Sequence, residues 1–430
     1  MFWAASADQN TIDFFGYAII TILHGNKMTF NINFLNLKRK RKKYLILILD
    51  IEPKSKKATR NKSELQNIII EKLRTRNWEC IESEVAIEIT SYTNQKNPPK
   101  IEKFVKNIID IMHKKEILKN KKDEIYLPFK DDKFIKYLRA KYVFLKGKSK
   151  TYIKIRPFNS FISDIHFVDT ELGLNYHAGK NTSDNWSEYR ELIDKKEEYL
   201  KVLSKEAYDS MIKMKTLDLQ KDICDGISIT PEIIGLLYPK QGKYAKNFKE
   251  IYRNWALMLL DVPIRIHLPG IPLSDDEEED YKAKYRKVLK KQMRKYLANH
   301  PIFNKFQAPI LITAFYMPPK RKKKDYKDID NIMLEYIMPA MNEIFRPPIS
   351  FFNLVMEDRR GKKINDRSIS NPKSLNGSAI GYEIIELPFN FSNSDTGFIK
   401  IGFKIEIVES SVMGYIDEEI DKYIAENRYV

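Results

Sequence analysis

Two aspartates separated by a single residue stand in the run Lys324-Asp325-Tyr326-Lys327-Asp328-Ile329-Asp330-Asn331, at the start of an apolar helical stretch. On an extended segment, side chains two apart project to the same side. Asp328 and Asp330 are therefore placed to share a divalent cation. Lys320, Arg321, Lys322, Lys323 and Lys324 lead into them, and Lys327 sits beside them. Paired carboxylates holding a metal, wrapped in bases that neutralise phosphates, are what hydrolysis of a nucleic-acid backbone requires. The bland alternative makes Asp330 or Asn331 only the cap of a helix starting near Ile332, a role both residue types favour.

The elements that must position this motif belong to a chain of 430 residues, enough for two to three domains. Its 43% hydrophobic content supports real cores and excludes a disordered tail protein. Lys and Arg number 75 against 58 acids, a formal charge of +17, which favours a polyanionic partner, foremost nucleic acid. Compositional bias toward lysine is the competing explanation. Cys80 and Cys224 are the two cysteines, too few for a disulfide framework or a four-ligand zinc site. The six histidines show no HxxxH or HExxH spacing. A reducing cytoplasm fits. The apolar run Phe14 to Leu23 is too short to span a bilayer and lacks a preceding basic segment, so neither a membrane anchor nor a signal peptide is expected. Met28 is an alternative start within an N-terminal extension, residues 1–37.

Along the chain, the basic run Lys38 to Lys43 leads into a strand at 44–50. A helix over Lys62 to Trp78, a strand at 84–90 and a helix opened by Pro98-Pro99 follow. Strands at Lys136 to Leu145 and Thr151 to Arg156 flank a Lys146-Gly147-Lys148 turn. The same order returns later: strand 262–268, basic helix 281–299, strand 308–316, helix 329–345, and strands 382–387 and 397–407. Each half reads β-α-β-α-β-β, which points to an internal duplication. The expected division is 38–160, a helical insert at 161–261, 262–410, and a C-terminal helix at 411–430. Within the insert, amphipathic helices are expected at Trp186 to Met211 and Phe248 to Leu260. The acidic run Asp275 to Asp280 reads as a solvated loop or as an occupant of the basic groove when DNA is absent.

From Val262 to Ile407 the chain resembles the RusA-type family of Holliday-junction resolvases. The resemblance rests on Leu268-Pro269-Gly270-Ile271-Pro272, Tyr285-Arg286-Lys287, a strand ending at Tyr316 with Pro318 after it, and Asp328-Ile329-Asp330-Asn331 behind a basic run. It implies an α/β (α+β) fold of two RusA-like units, the first degenerate, joined by the insert as a pseudo-dimer. It also implies cleavage of branched DNA with magnesium or manganese. The family uses the aspartates of this motif, a lysine one helical turn on, and a further aspartate just before the next strand. By resemblance Asp328 and Asp330 hold the metal, and Asn331 orients a carboxylate or caps the helix.

The departures are specific. Four residues after Asp330 stands Leu334, not lysine. Lys324 or Lys327 is an alternative source of that charge. The stretch before the next strand, Asn376-Gly377-Ser378-Ala379-Ile380, has no carboxylate. Glu357, Asp358 and Asp366 in the insertion are candidates to fold back, with Asp358 and Asp366 taken as metal ligands and Asp366 as catalytic; a solvated loop is the alternative. The first half shows complementary losses. Pro99-Lys100-Ile101-Glu102-Lys103 replaces the acid pair, yet Lys106 holds the family's lysine position, Asp110 a later acid position, and Asp131-Asp132-Lys133-Phe134-Ile135 the pre-strand signature. The first half is then either a decayed copy that still holds DNA, or a contributor of Lys106 or Asp132 to a composite site with Asp328 and Asp330.

The expected function is a magnesium-dependent, structure-selective endonuclease that nicks branched DNA. Lys38, Arg39, Lys40, Arg41, Lys106, Lys320, Arg321, Lys322, Lys323, Lys324 and Lys327 are the expected phosphate contacts. The first alternative is a catalytically degenerate DNA-binding subunit of a larger complex; a homodimer is the other assembly considered. An RNA-directed protein is a third reading, but the 12% aromatic residues form no cluster for base stacking.

Overall fold

Strand β1 (Leu45–Leu49) buries Leu45, Leu47 and Leu49 and leaves Ile46 and Ile48 outward, the alternation of a sheet with one face on a core. The computed structural model describes residues 43–54, 62–95, 98–114, 117–118, 120–144, 147–173, 182–225, 234–235, 238, 266–270, 279–303, 306, 308–318, 327–344, 379–387, 397–405 and 411–426. The other strands are β2 (Val85–Thr93), β3 (Ile135–Phe144), β4 (Lys150–Pro157), β5 (Ile266–Pro269), β6 (Ile310–Met317), β7 (Ala379–Glu386) and β8 (Phe398–Ile405). They form one mixed sheet in the order β1-β4-β2-β3-β7-β6-β8-β5.

The order of the second four strands repeats that of the first. In each quartet the first strand pairs antiparallel with the fourth, the fourth antiparallel with the second, and the second parallel with the third. Even the irregularity recurs: the parallel pair shifts register between Val85 and Ala86 in one quartet and between Ile310 and Leu311 in the other. The quartets meet where β3 pairs antiparallel with β7, so a single sheet crosses both halves. At the centre of that seam Arg139 lies opposite Glu383. Gly381 is required there, because a Cβ would fall 2.2 Å from the Ala140 carbonyl oxygen.

Helices α1 (Lys62–Arg74), α2 (Ile101–His113) and α7 (Glu279–Asn299) cover one face. With them packs α8, a continuous run of Ile329–Ile332, a π-helical turn at Met333–Ile337, and Met338–Ile344. The main core lies here, with Phe104, Ile108, Leu138, Ile312, Met333, Ile337 and Tyr382 all buried. Each such side chain stabilises the fold by roughly 1.5–3 kcal/mol. The other face packs against α3 (Phe158–Phe167) and α9 (Val412–Glu426).

The insert corrects one expectation. Instead of a single helix over Trp186 to Met211 there are three: α4 (Thr182–Asp194), α5 (Lys196–Val202) and α6 (Lys205–Asp225). Leu203 turns extended, and the Ser204 hydroxyl accepts from the Ala207 amide to begin α6. Residues 1–37, Met28, the helix expected at Phe248 to Leu260 and the acidic residues 275–278 lie outside the described residues. Among the described residues no helix is long and apolar enough to cross a membrane.

Candidate metal centre

Helix α2 carries a polar stripe, Glu102, Lys106, Asp110 and His113, on a largely apolar sequence. These positions are three or four apart, so they share a face. That face does not look at solvent: Glu102, Asp110 and His113 are buried and the Lys106 side chain is 15% exposed. A lysine held so deep must have carboxylate partners. It has three. Lys106 Nζ lies 2.9 Å from Asp132 Oδ2, 2.9 Å from Asp330 Oδ2 and 3.5 Å from Asp110 Oδ1.

The two acids at 2.9 Å come from different halves. Asp132 starts the 3₁₀ turn Asp132–Phe134 that enters β3, while Asp131 caps that turn by accepting from the Lys133 amide. The capping duty falls on Asp131, so Asp132 is directed to the site. Asp330 lies in the first turn of α8. Asp328, extended at φ −68° and ψ 155°, occupies the N-cap position of that helix, yet its side chain makes no capping hydrogen bond. Oxygens of Asp132, Asp328 and Asp330 all lie within 4.8 Å of one another.

The two motif aspartates therefore converge across a helix start, not along an extended segment. The helix begins at Ile329, so neither Asp330 nor Asn331 is its cap. Asn331 lies within the first turn, half-buried.

The electrostatics are those of excess negative charge around one ammonium. Burial works against charge on Lys106, but Asp330 and Asp132 outweigh it and hold the ammonium well above its ordinary value. Burial would likewise raise Asp132; the charges of Lys106 and His113 prevail and bring it down from 3.8 to about 2. Asp330, fully enclosed, is pushed up by burial despite Lys106, with Asp132 adding to the rise. Asp330 Oδ1 is buried and has no hydrogen-bond partner among the described residues. An enclosed, orphaned carboxylate oxygen beside two other carboxylates fits an oxygen-ligated divalent cation such as magnesium or manganese. Magnesium at about 2.1 Å from each ligand spans oxygens up to about 4.2 Å apart. The observed spread is within side-chain adjustment of that.

His113 was missed by the sequence reading. One ring nitrogen, Nδ1, pairs with the Ile109 carbonyl at 2.8 Å, the ring stacks on Phe129, and Nε2 faces Asp132 Oδ2 at 3.8 Å. The signal that would have found it is the stripe of polar residues on α2. Lys327 is drawn to Glu335, with Nζ 3.7 Å from Oε2. Asp132, the contributor that the composite-site alternative names, stands as a third carboxylate beside the acid pair. Asp358 and Asp366 themselves lie outside the described residues, as do Glu357, Lys38, Arg39, Lys40, Arg41, Lys320, Arg321, Lys322, Lys323, Lys324 and 376–378.

No family model, curated protein or solved structure matches this chain.

Proposed function

We propose that this chain is a metal-dependent DNA endonuclease with one composite centre, built from Asp328 and Asp330 of the second half and Asp132 and Lys106 of the first. The RusA-like resemblance implies the substrate, branched DNA, and the reading of the two quartets as a pseudo-dimer. The observation that carries the proposal is the convergence of Asp132 on the motif aspartates, with Lys106 bridging them. It joins in space the acid pair, the lysine and the pre-strand aspartate that the sequence distributes between halves.

A magnesium or manganese ion bound there would supply an activated water and offset charge on the phosphate. The three carboxylates would hold the ion, Asp330 from a buried position where charge interactions are strong. Lys106, held by Asp132, Asp330 and Asp110, offsets part of the negative charge that the carboxylates gather there. His113, locked by the Ile109 carbonyl and Phe129, braces Asp132 from behind. Asp132 and Asp328 are only half-buried, which leaves the centre an opening toward solvent.

The test is incubation of the purified chain with a four-way junction, a flap and a linear duplex, with and without magnesium. The expected result is magnesium-dependent nicking, reduced by about 10³-fold in Asp330→Asn, with junction affinity kept within about threefold. Binding without cleavage by the wild-type chain would support the silent-subunit reading instead. Absence of both would overturn the DNA assignment.

A further inference from the structure

Helix α7 presents two different basic faces. Toward the protein, Lys282 pairs with Glu335 at 3.3 Å, Arg286 Nε donates to the Glu335 carbonyl at 2.7 Å and Lys290 pairs with Glu343 at 2.7 Å. Leu289, Met293 and Tyr296 on the same side are buried in the core. Toward solvent stand Lys284, Lys287, Lys291, Arg294 and Lys295, all exposed. None of the five forms an ion pair among the described residues. Their spacing keeps them on one side of the helix.

We infer that this outward stripe is a track that grips one duplex arm of a DNA substrate by its phosphates. The inference rests on the DNA reading above and names a surface that reading does not require. Three observations support it. First, the dimensions agree: from residue 284 to 295 the helix rises about 16 Å, and one strand of duplex places about five phosphates over that length. Second, the N-terminal end of α7, where the stripe begins, lies beside the start of α8. Glu335 Oε2 is shared by Lys282 and by Lys327, 3.7 Å away, and Lys327 is the residue before Asp328. Third, the counterpart helix in the first half lacks such a stripe: the exposed residues of α1 are Glu64, Ile68, Glu71 and Lys72. Lysine placed only for solubility would not discriminate between the halves. The arm is thus held on the second-half side, next to the acid pair.

The test compares K284E/K287E/K291E/K295E with a control reversal, K196E/K201E/K205E/K213E, on exposed positions of α5 and α6. The change in net charge is the same. The probe is a labelled linear duplex without magnesium, titrated between 50 and 200 mM salt. The stripe variant is expected to lose on the order of 100-fold in affinity and to flatten the salt dependence by three to four units of slope, at about 0.9 per phosphate contact. The control is expected to change affinity by less than about threefold. A second variant with glutamine at the four stripe positions guards against misfolding and should keep the reduced slope. Equal behaviour of stripe and control variants, with wild-type binding and nicking intact, overturns this inference alone. Failure of the wild-type chain to bind the duplex or a four-way junction overturns the DNA reading and this inference with it.

Discussion

Helix α2 of the first half opens with Lys100, Ile101 and Glu102; helix α8 of the second opens with Asp328, Ile329 and Asp330. The two helices follow equivalent strands in quartets of identical order. One turn further on, the first has Lys106 and the second Leu334. Three residues before the next strand, the first has Asp132 and the second Asn376. Each half therefore holds what the other lacks. β3 and β7 pair antiparallel, and these groups of the two halves meet in one acidic cluster around Lys106. The mate of that cluster keeps one acid of its own, Glu102, whose carboxyl burial pushes up. The lesson is that a half without the acid pair is not thereby dispensable to the acidic cluster, since it supplies Asp132 and Lys106.

The comparison can be broken first at the centre itself. Asp132→Asn and Lys106→Met, both in the half without the acid pair, are each expected to slow nicking by about 10²–10³-fold. The mirror changes Glu102→Gln and Leu334→Ala should leave it within about threefold. Nicking assays on a four-way junction read all four. Equal losses on both sides of the seam would mean that the halves are equivalent after all.

A smaller effect in rate, but a large one in stability, is expected at the seam. A seam between identical halves would set like against like; here Arg139 faces Glu383 at 3.9 Å and pairs with Glu88 at 2.8 Å. Arg139→Leu leaves both acids enclosed and is expected to cost about 3–5 kcal/mol in denaturant unfolding. A loss below about 1 kcal/mol would show that this pair does not fix the union of the halves. The smallest change concerns product: with one competent centre, a single chain should leave one nick per junction. Paired symmetrical nicks from a monomer would contradict the asymmetry.

The strands and helices were legible because their apolar positions keep the period of each element, as at Leu45, Leu47 and Leu49 or at Phe104, Ile108 and Ile111. The acid pair was legible as a motif, and Asp132 and Lys106 as the first-half groups that could join it. For a third carboxylate the sequence offered both Asp358 and Asp366, near along the chain, and Asp132, distant along it; Asp358 and Asp366 lie outside the described residues. The β3–β7 pairing joins strands far apart in sequence, and the residues that fit them together, Gly381 against the Ala140 carbonyl and Arg139 against Glu383, show their match only once the strands are side by side. His113 escaped for a related reason. Its role comes from the burial of the whole polar face of α2, a tertiary fact visible in sequence only as misplaced polarity. The break between α5 and α6 depends on Leu203 and Ser204, a cap signal masked in sequence by the longer amphipathic pattern.

The central claim is that one cation site draws its ligands from both halves, and manganese binding followed by electron paramagnetic resonance tests it most directly. Asp132→Asn should weaken binding as much as Asp330→Asn, at least tenfold, while Glu102→Gln binds like the wild-type chain. Undiminished binding by Asp132→Asn would contradict the composite centre.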